Sequence, residues 1–66
     1  MKARELREMS DEELESRERD LVEEIFNLRF QIAAGIAENS QILRNVRKDL
    51  ARLKTVRRER QLAKIA

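Results

Sequence analysis

Histidine, cysteine and proline are absent from this chain of 66 residues, glycine occurs once, and Phe26 and Phe30 are its only aromatic residues. Each absence closes off a class of fold or function. Without cysteine there is neither a disulfide nor a thiolate metal site. Without histidine the chain lacks the commonest metal ligand and the commonest acid–base group. Ser10, Ser16, Ser40 and Thr55 therefore have no imidazole with which to build a nucleophile–base pair. A single glycine excludes a glycine-rich phosphate loop. No apolar run approaches the ~20 residues of a membrane span. Met1-Lys2-Ala3-Arg4-Glu5 leads into acidic residues, not into an apolar signal segment. The expectation is a cytoplasmic protein that is not an enzyme, with no cofactor, no bound metal, no small-molecule substrate and no membrane partner.

Helix formers and charge fill the space left by these absences. Charged residues are 42% of the chain, and Ala, Leu, Arg and Glu recur throughout, a composition typical of long exposed helices or a coiled coil. Disorder competes at this charge content, but the apolar residues are periodic. Residues 2–8 suit a short helical turn. Ser10-Asp11-Glu12-Glu13 fits a capping box, in which the Ser10 hydroxyl accepts from the Glu13 N–H and acidic residues face the positive end of the helix dipole. Leu14, Leu21, Ile25, Leu28 and Ile32 follow at spacings of seven, four, three and four, the seam of a coiled coil. Gly35 is the natural stop, because glycine adopts the left-handed conformation that ends helices. Asn39 or Ser40 suits the next cap, before a second seam of Leu43, Val46, Leu50 and Leu53, broadened by Ile42 and Val56. The seam turns polar at Arg57 and Arg60; Leu62 and Ile65 extend it into a tail expected to fray.

These elements predict an all-α fold: an antiparallel two-helix coiled-coil hairpin with a short N-terminal helical segment. Residues 1–66 form a single domain in this reading, with a long helix over about 10–35, a turn over 36–39 and a second helix over about 40–62. A turn centred near Ala37 pairs residues whose numbers total about 75: Ile32 with Leu43, Leu28 with Val46, Ile25 with Leu50, Leu21 with Leu53. One layer further out, Glu18 faces Arg57. A core this small rarely supplies more than roughly 3–5 kcal/mol, so the hairpin is expected to be marginal when free and to lean on a binding surface.

Net charge is divided unevenly. Residues 1–38 hold six Lys/Arg and eleven Asp/Glu, a balance of −5, whereas residues 39–66 hold nine Lys/Arg and two Asp/Glu, a balance of +7. Arg44, Arg47, Lys48, Arg52, Lys54, Arg57 and Arg58 lie within fifteen residues. The first five avoid the central seam positions, so their charged ends reach a partner; guanidinium groups grip phosphates with two parallel N–H bonds. Nucleic-acid binding is preferred over a merely solvated basic face. Asn27, Arg29 and Gln31 are candidate donors to phosphates or base edges, though on spacing alone an exposed polar face accounts for them better. Val22, Phe26 and Phe30, with Ala33, form a second apolar stripe more than a quarter turn from the seam. Either Leu6 and Met9 of the N-terminal segment fold over that stripe, or it meets RNA or a protein partner. The carboxylates from Glu12 to Glu24 read as a solvated helix face and not as a metal or catalytic site.

Phe26-Asn27-Leu28-Arg29-Phe30-Gln31, the single Gly35, and the run from Ile42 to Val56 (Ile42-Leu43-Arg44, Arg47-Lys48-Asp49-Leu50-Ala51-Arg52-Leu53-Lys54-Thr55-Val56) together resemble the L29 family of large-subunit ribosomal proteins. So do Met1-Lys2-Ala3-Arg4-Glu5-Leu6-Arg7 and the Ser10 to Leu14 helix start. The resemblance implies a long antiparallel hairpin bound to large-subunit rRNA near the exit of the nascent-peptide tunnel. It also implies a neighbouring ribosomal protein there, and a place in the docking area for trigger factor and signal recognition particle. It carries rRNA contacts onto Asn27, Arg29, Gln31, Arg44, Arg47, Lys48, Arg52 and Lys54. One departure is Ser40 after Asn39, where many relatives place a proline that fixes the start of the second helix. The alternative function is a coiled-coil protein-interaction or adaptor module. A basic-zipper DNA binder fits poorly, because that architecture places its basic region before the zipper.

Overall fold

In the computed structural model, which describes residues 2–36 and 40–65, three helices run in the order α1 (Ala3–Glu8), α2 (Asp11–Ala33) and α3 (Ser40–Ile65). The fold is all-α, with α2 and α3 packed against each other along their length in a rod of 47 × 17 × 17 Å. The expected turn around Ala37 and the cap at Asn39 lie outside the described residues.

Both ends of α2 are closed by the groups the sequence supplies. Ser10 is extended, and its hydroxyl accepts from the Glu13 N–H at 3.1 Å. At the other end Gly35 has φ +74°. The Ile36 N–H donates to the Gln31 carbonyl at 2.9 Å and the Gly35 N–H to that of Ile32 at 3.1 Å. These two bonds define a Schellman stop, which consumes carbonyls that would otherwise lack donors. A Cβ at position 35 would meet nothing within 4 Å, so backbone conformation alone makes glycine the suitable residue there.

The core is one cluster: Leu6, Leu14, Leu21, Ile25, Val46, Leu53 and Val56 are buried, with Met9, Leu28, Leu43 and Leu50 packed at its margin. Ile42, expected to broaden the second seam, is instead exposed. It lies in the first turn of α3, at the end of the rod away from α1. Glu18 and Arg57 meet across the seam in a half-buried ion pair, which places the hairpin in the register that the seam spacing predicts. The pair is expected to set register more than to add net stability, because desolvation offsets part of its attraction. A double-mutant cycle with Glu18→Gln and Arg57→Gln is expected to show a coupling of about 1 kcal/mol; additive effects would mean that the two charges do not recognise each other.

The N-terminal segment takes the opposite flank from the one the uncovered stripe would need. Leu6 is fully buried and Met9 half-buried, but α1 packs on α3, not on the Phe26/Phe30 stripe. The reason lies in the arc of α3. At about 100° per residue, Leu53, Val56 and Arg60 turn to the side away from Phe26, and that side offers α1 both an apolar floor and a polar clasp. The Arg60 guanidinium donates to the Asp11 carboxylate at 2.9 Å and to the Arg7 carbonyl at 3.0 Å, and it reaches the Leu6 carbonyl at 3.5 Å. Arg60 thus fills the open carbonyls at the end of α1 while it holds the start of α2. Lys64 adds a second donor to Asp11 at 3.1 Å, and Arg7 pairs with Glu59 at 3.6 Å. This clasp carries α3 to Ile65, even though Leu62 and Ile65 remain exposed and add nothing to the seam.

The clasp is acid-sensitive. Hydrogen bonds from Arg60 and then Lys64 hold the Asp11 carboxyl below its ordinary value of 3.8. A lowered folded-state pKa contributes stability above the unfolded value, and that contribution is lost as pH falls through the folded one. As pH falls below 3.8, protection of the α1 amides, corrected for intrinsic exchange, is therefore expected to drop before protection in the Leu21–Leu53 region. Asp11→Asn should show the faster α1 exchange already at pH 6; equal exchange in the variant and the parent would contradict the clasp.

Candidate nucleic-acid interface

Helical spacing sorts the candidate contact residues onto two flanks. On α2, Val22, Phe26, Arg29 and Ala33 follow at four, three and four, so they share one flank of the seam. Asp20, Glu24, Asn27 and Gln31 follow the same spacing and share the other. On α3, Arg44, Arg47, Ala51, Lys54 and Arg58 fall within about 80° of arc, beside the seam and on the same side as Phe26. Lys48 and Arg52 lie further round, toward the outer face.

The two helices join their flanks in a shallow groove of about 300 Å³. It is lined by Val22, Ile25, Phe26 and Arg29 from α2 and by Arg47, Leu50, Ala51 and Lys54 from α3, with Ile25 and Leu50 of the seam deepest. No carboxylate lines it. Arg29, Arg47 and Lys54 are exposed, and none of the three is ion-paired among the described residues. Mutual repulsion of three cations around an apolar floor is tolerable in water, where screening acts within about 8–10 Å, and it becomes attraction once an anion is seated. Phe26 is 66% and Phe30 70% exposed, whereas Val22, at 37%, is shielded in part by the groove itself. Phe30 lies beyond the groove lining, so the stripe extends past it toward the turn end of the hairpin.

The structure thus brings Arg29, Arg47 and Lys54 together, and Arg44 and Arg58 continue their row along α3. It does not bring Asn27 and Gln31 to them; those two sit on the acidic flank of α2. Arg57 is committed to Glu18 and part-buried, unlike its exposed neighbour Arg58. The small Ala51 between Arg47 and Lys54 is the residue that sequence reasoning passed over. An alanine flanked at four and three positions by cations, opposite a phenylalanine, was the available signal. Among the described residues no group of Asp and Glu side chains could hold a metal ion, and no helix is long and apolar enough to cross a membrane.

Comparison with known proteins places this helical rod in a family. Residues 4–60 match the family described as Ribosomal L29 protein. The chain is 58% identical over 62 residues to the "Large ribosomal subunit protein uL29" of Natranaerobius thermophilus, covering 94% of this chain and 95% of that one. The protein of the same description from Geobacillus stearothermophilus is 56% identical over 63 residues, 96% of each chain. That from Listeria welshimeri is 52% identical over 63 residues, 96% of this chain and all of the relative. Similarity at this level extends over nearly the full length of both partners, and the chain belongs to the ribosomal L29 protein family.

Proposed function

We propose that this chain binds large-subunit rRNA through the cationic flank of its hairpin. As a member of its family it is a structural component of the large ribosomal subunit, in the cytoplasm, and the family is not one of enzymes. The observation that carries the rRNA reading is the division of labour among the cations of α3. Arg57, Arg60 and Lys64 are committed to carboxylates of α2. Arg44, Arg47, Lys54 and Arg58 form an exposed row with no ion pair among the described residues. A hairpin that needed basic residues only for internal pairing would have no use for that row. RNA helices present phosphates and 2′-hydroxyls more readily than base edges, so the chain neutralises and positions backbone with little reading of sequence.

The same proposal places the protein near the exit of the peptide tunnel, beside another ribosomal protein, in the docking area for trigger factor and signal recognition particle; these details rest on the family resemblance. The uncovered Phe30 end of the apolar stripe suits the protein neighbour. The proposal gives the chain no catalytic role. Cosedimentation of the tagged chain with large subunits tests it. Binding that disappears when the subunits are treated with ribonuclease is the expected result. Self-association, or capture by protein alone after ribonuclease, would favour the adaptor reading instead.

A further inference from the structure

We infer that the groove between α2 and α3 receives one unpaired RNA nucleotide, its base against the exposed Phe26 ring and its flanking phosphates on Arg47 and Lys54, with Arg29 beside the base or its sugar. The inference rests on the rRNA reading above and narrows it to one kind of RNA element. A continuous A-form helix presents phosphates and ribose hydroxyls to a rod of this kind. Such a surface satisfies the three cations but leaves Val22, Phe26 and Ala51 facing polar groups. An acidic protein helix could also give the cations bidentate acceptors, but it carries its charge and its apolar surface on separate side chains. A nucleotide carries both required properties within its own dimensions: a π-face that stacks on an aromatic ring or a guanidinium plane, and a doubly flanked anionic backbone.

The dimensions agree. The groove holds about 300 Å³, the lower limit of small-ligand sites and enough for one base. Its cations surround the floor: Arg29 approaches from α2, with Arg47 and Lys54 on α3 either side of Ala51. Ala51 is what keeps the groove open, since any longer side chain would project into it between the two α3 cations. Two phosphates flanking one splayed base therefore find a donor on each side, and Arg29 is left to cover the base or its sugar.

The test uses complete large subunits assembled with chains that carry a photoreactive phenylalanine analogue in place of Phe26. The position is exposed and outside the core, so the fold tolerates it. The expected adduct falls on an rRNA nucleotide that is unpaired in the subunit. In a second arm, subunits carry Phe26→Leu or Ala51→Gln, and base-specific chemical probing reads the same nucleotide. Its reactivity is expected to rise roughly 5-fold or more, the low end of what one base–aromatic stack contributes; Ala51→Gln acts by filling the groove without altering charge. An adduct confined to base-paired nucleotides, or unchanged reactivity in both variants, overturns the nucleotide proposal while leaving rRNA binding intact. An adduct on protein assigns the groove to a protein partner and overturns it likewise. Absence of any RNA adduct from photoreactive residues at positions 26, 47 and 54 would instead sink the rRNA reading itself.

Discussion

Leu53→Ala is expected to unfold the free chain. Leu53 is fully buried at the centre of the α3 seam, where it packs in the one cluster that also holds Leu6, Leu14 and Leu21. Truncating a buried leucine costs about 2–5 kcal/mol, the spread reflecting how far the surroundings collapse into the cavity. A rod 17 Å across has no second layer of side chains to collapse from, which places the loss toward the upper end. A single small core supplies roughly 3–5 kcal/mol in total, so the loss equals the stability available. Far-ultraviolet circular dichroism at 25 °C should show most of the helical signal gone. Ile65→Ala, at an exposed position on the last turn of α3, should stay within about 0.5 kcal/mol of the parent. Saturating RNA should restore the Leu53→Ala helix in part, since a ligand at 100 times its Kd returns about 2.7 kcal/mol. A Leu53→Ala chain that melts within a few degrees of the parent would show that the seam is not what holds the rods together.

The second large effect concerns binding. The triple variant Arg29→Gln, Arg47→Gln, Lys54→Gln should fold as the parent does, because these side chains are exposed and carry no ion pair among the described residues. Its affinity for large-subunit rRNA should fall roughly 100-fold at moderate salt, at about 1 kcal/mol per lost charge-assisted contact. The log–log dependence on salt should also flatten by about 2, near 0.7–0.9 for each phosphate no longer neutralised. Arg57→Gln and Arg60→Gln should behave in the opposite way. Both loosen contacts between helices, so they lower thermal stability while leaving the salt slope of the folded fraction in place. If the triple variant and the Arg57/Arg60 variants weaken binding alike, the division between structural and RNA-facing cations is wrong.

Which features were legible in the sequence follows from how local their causes are. The Ser10 cap and the Gly35 stop depend on residues three to five positions apart, and both appear where the pattern places them. The pairing of Glu18 with Arg57 spans 39 residues, yet it too was readable, because two seven-residue repeats in register propagate one alignment along the whole rod. The position of α1 was not. Leu6 and Met9 could have covered either flank of the hairpin, and an apolar stripe at Phe26 and Phe30 looked like the natural target. What decides the matter is a set of long-range polar bonds from Arg60 to backbone carbonyls of α1, and no spacing within a single helix encodes them. Arg60 read only as the point where the seam turns polar. The candidate interface divides in the same way. The basic character of α3 was plain from composition, and the separation of Asn27 and Gln31 from Arg29 was already implicit in helical spacing; only the facing helix shows which of the two flanks meets the α3 cations.

Much depends on whether the exposed row of cations engages phosphates at all. The measurement closest to that question is the salt dependence of the unmodified chain's affinity for large-subunit rRNA. With about six phosphates neutralised, log Kd is predicted to rise with log salt at a slope of about 4–5. A slope near zero, with affinity retained, would mean that no row of cations meets the RNA backbone.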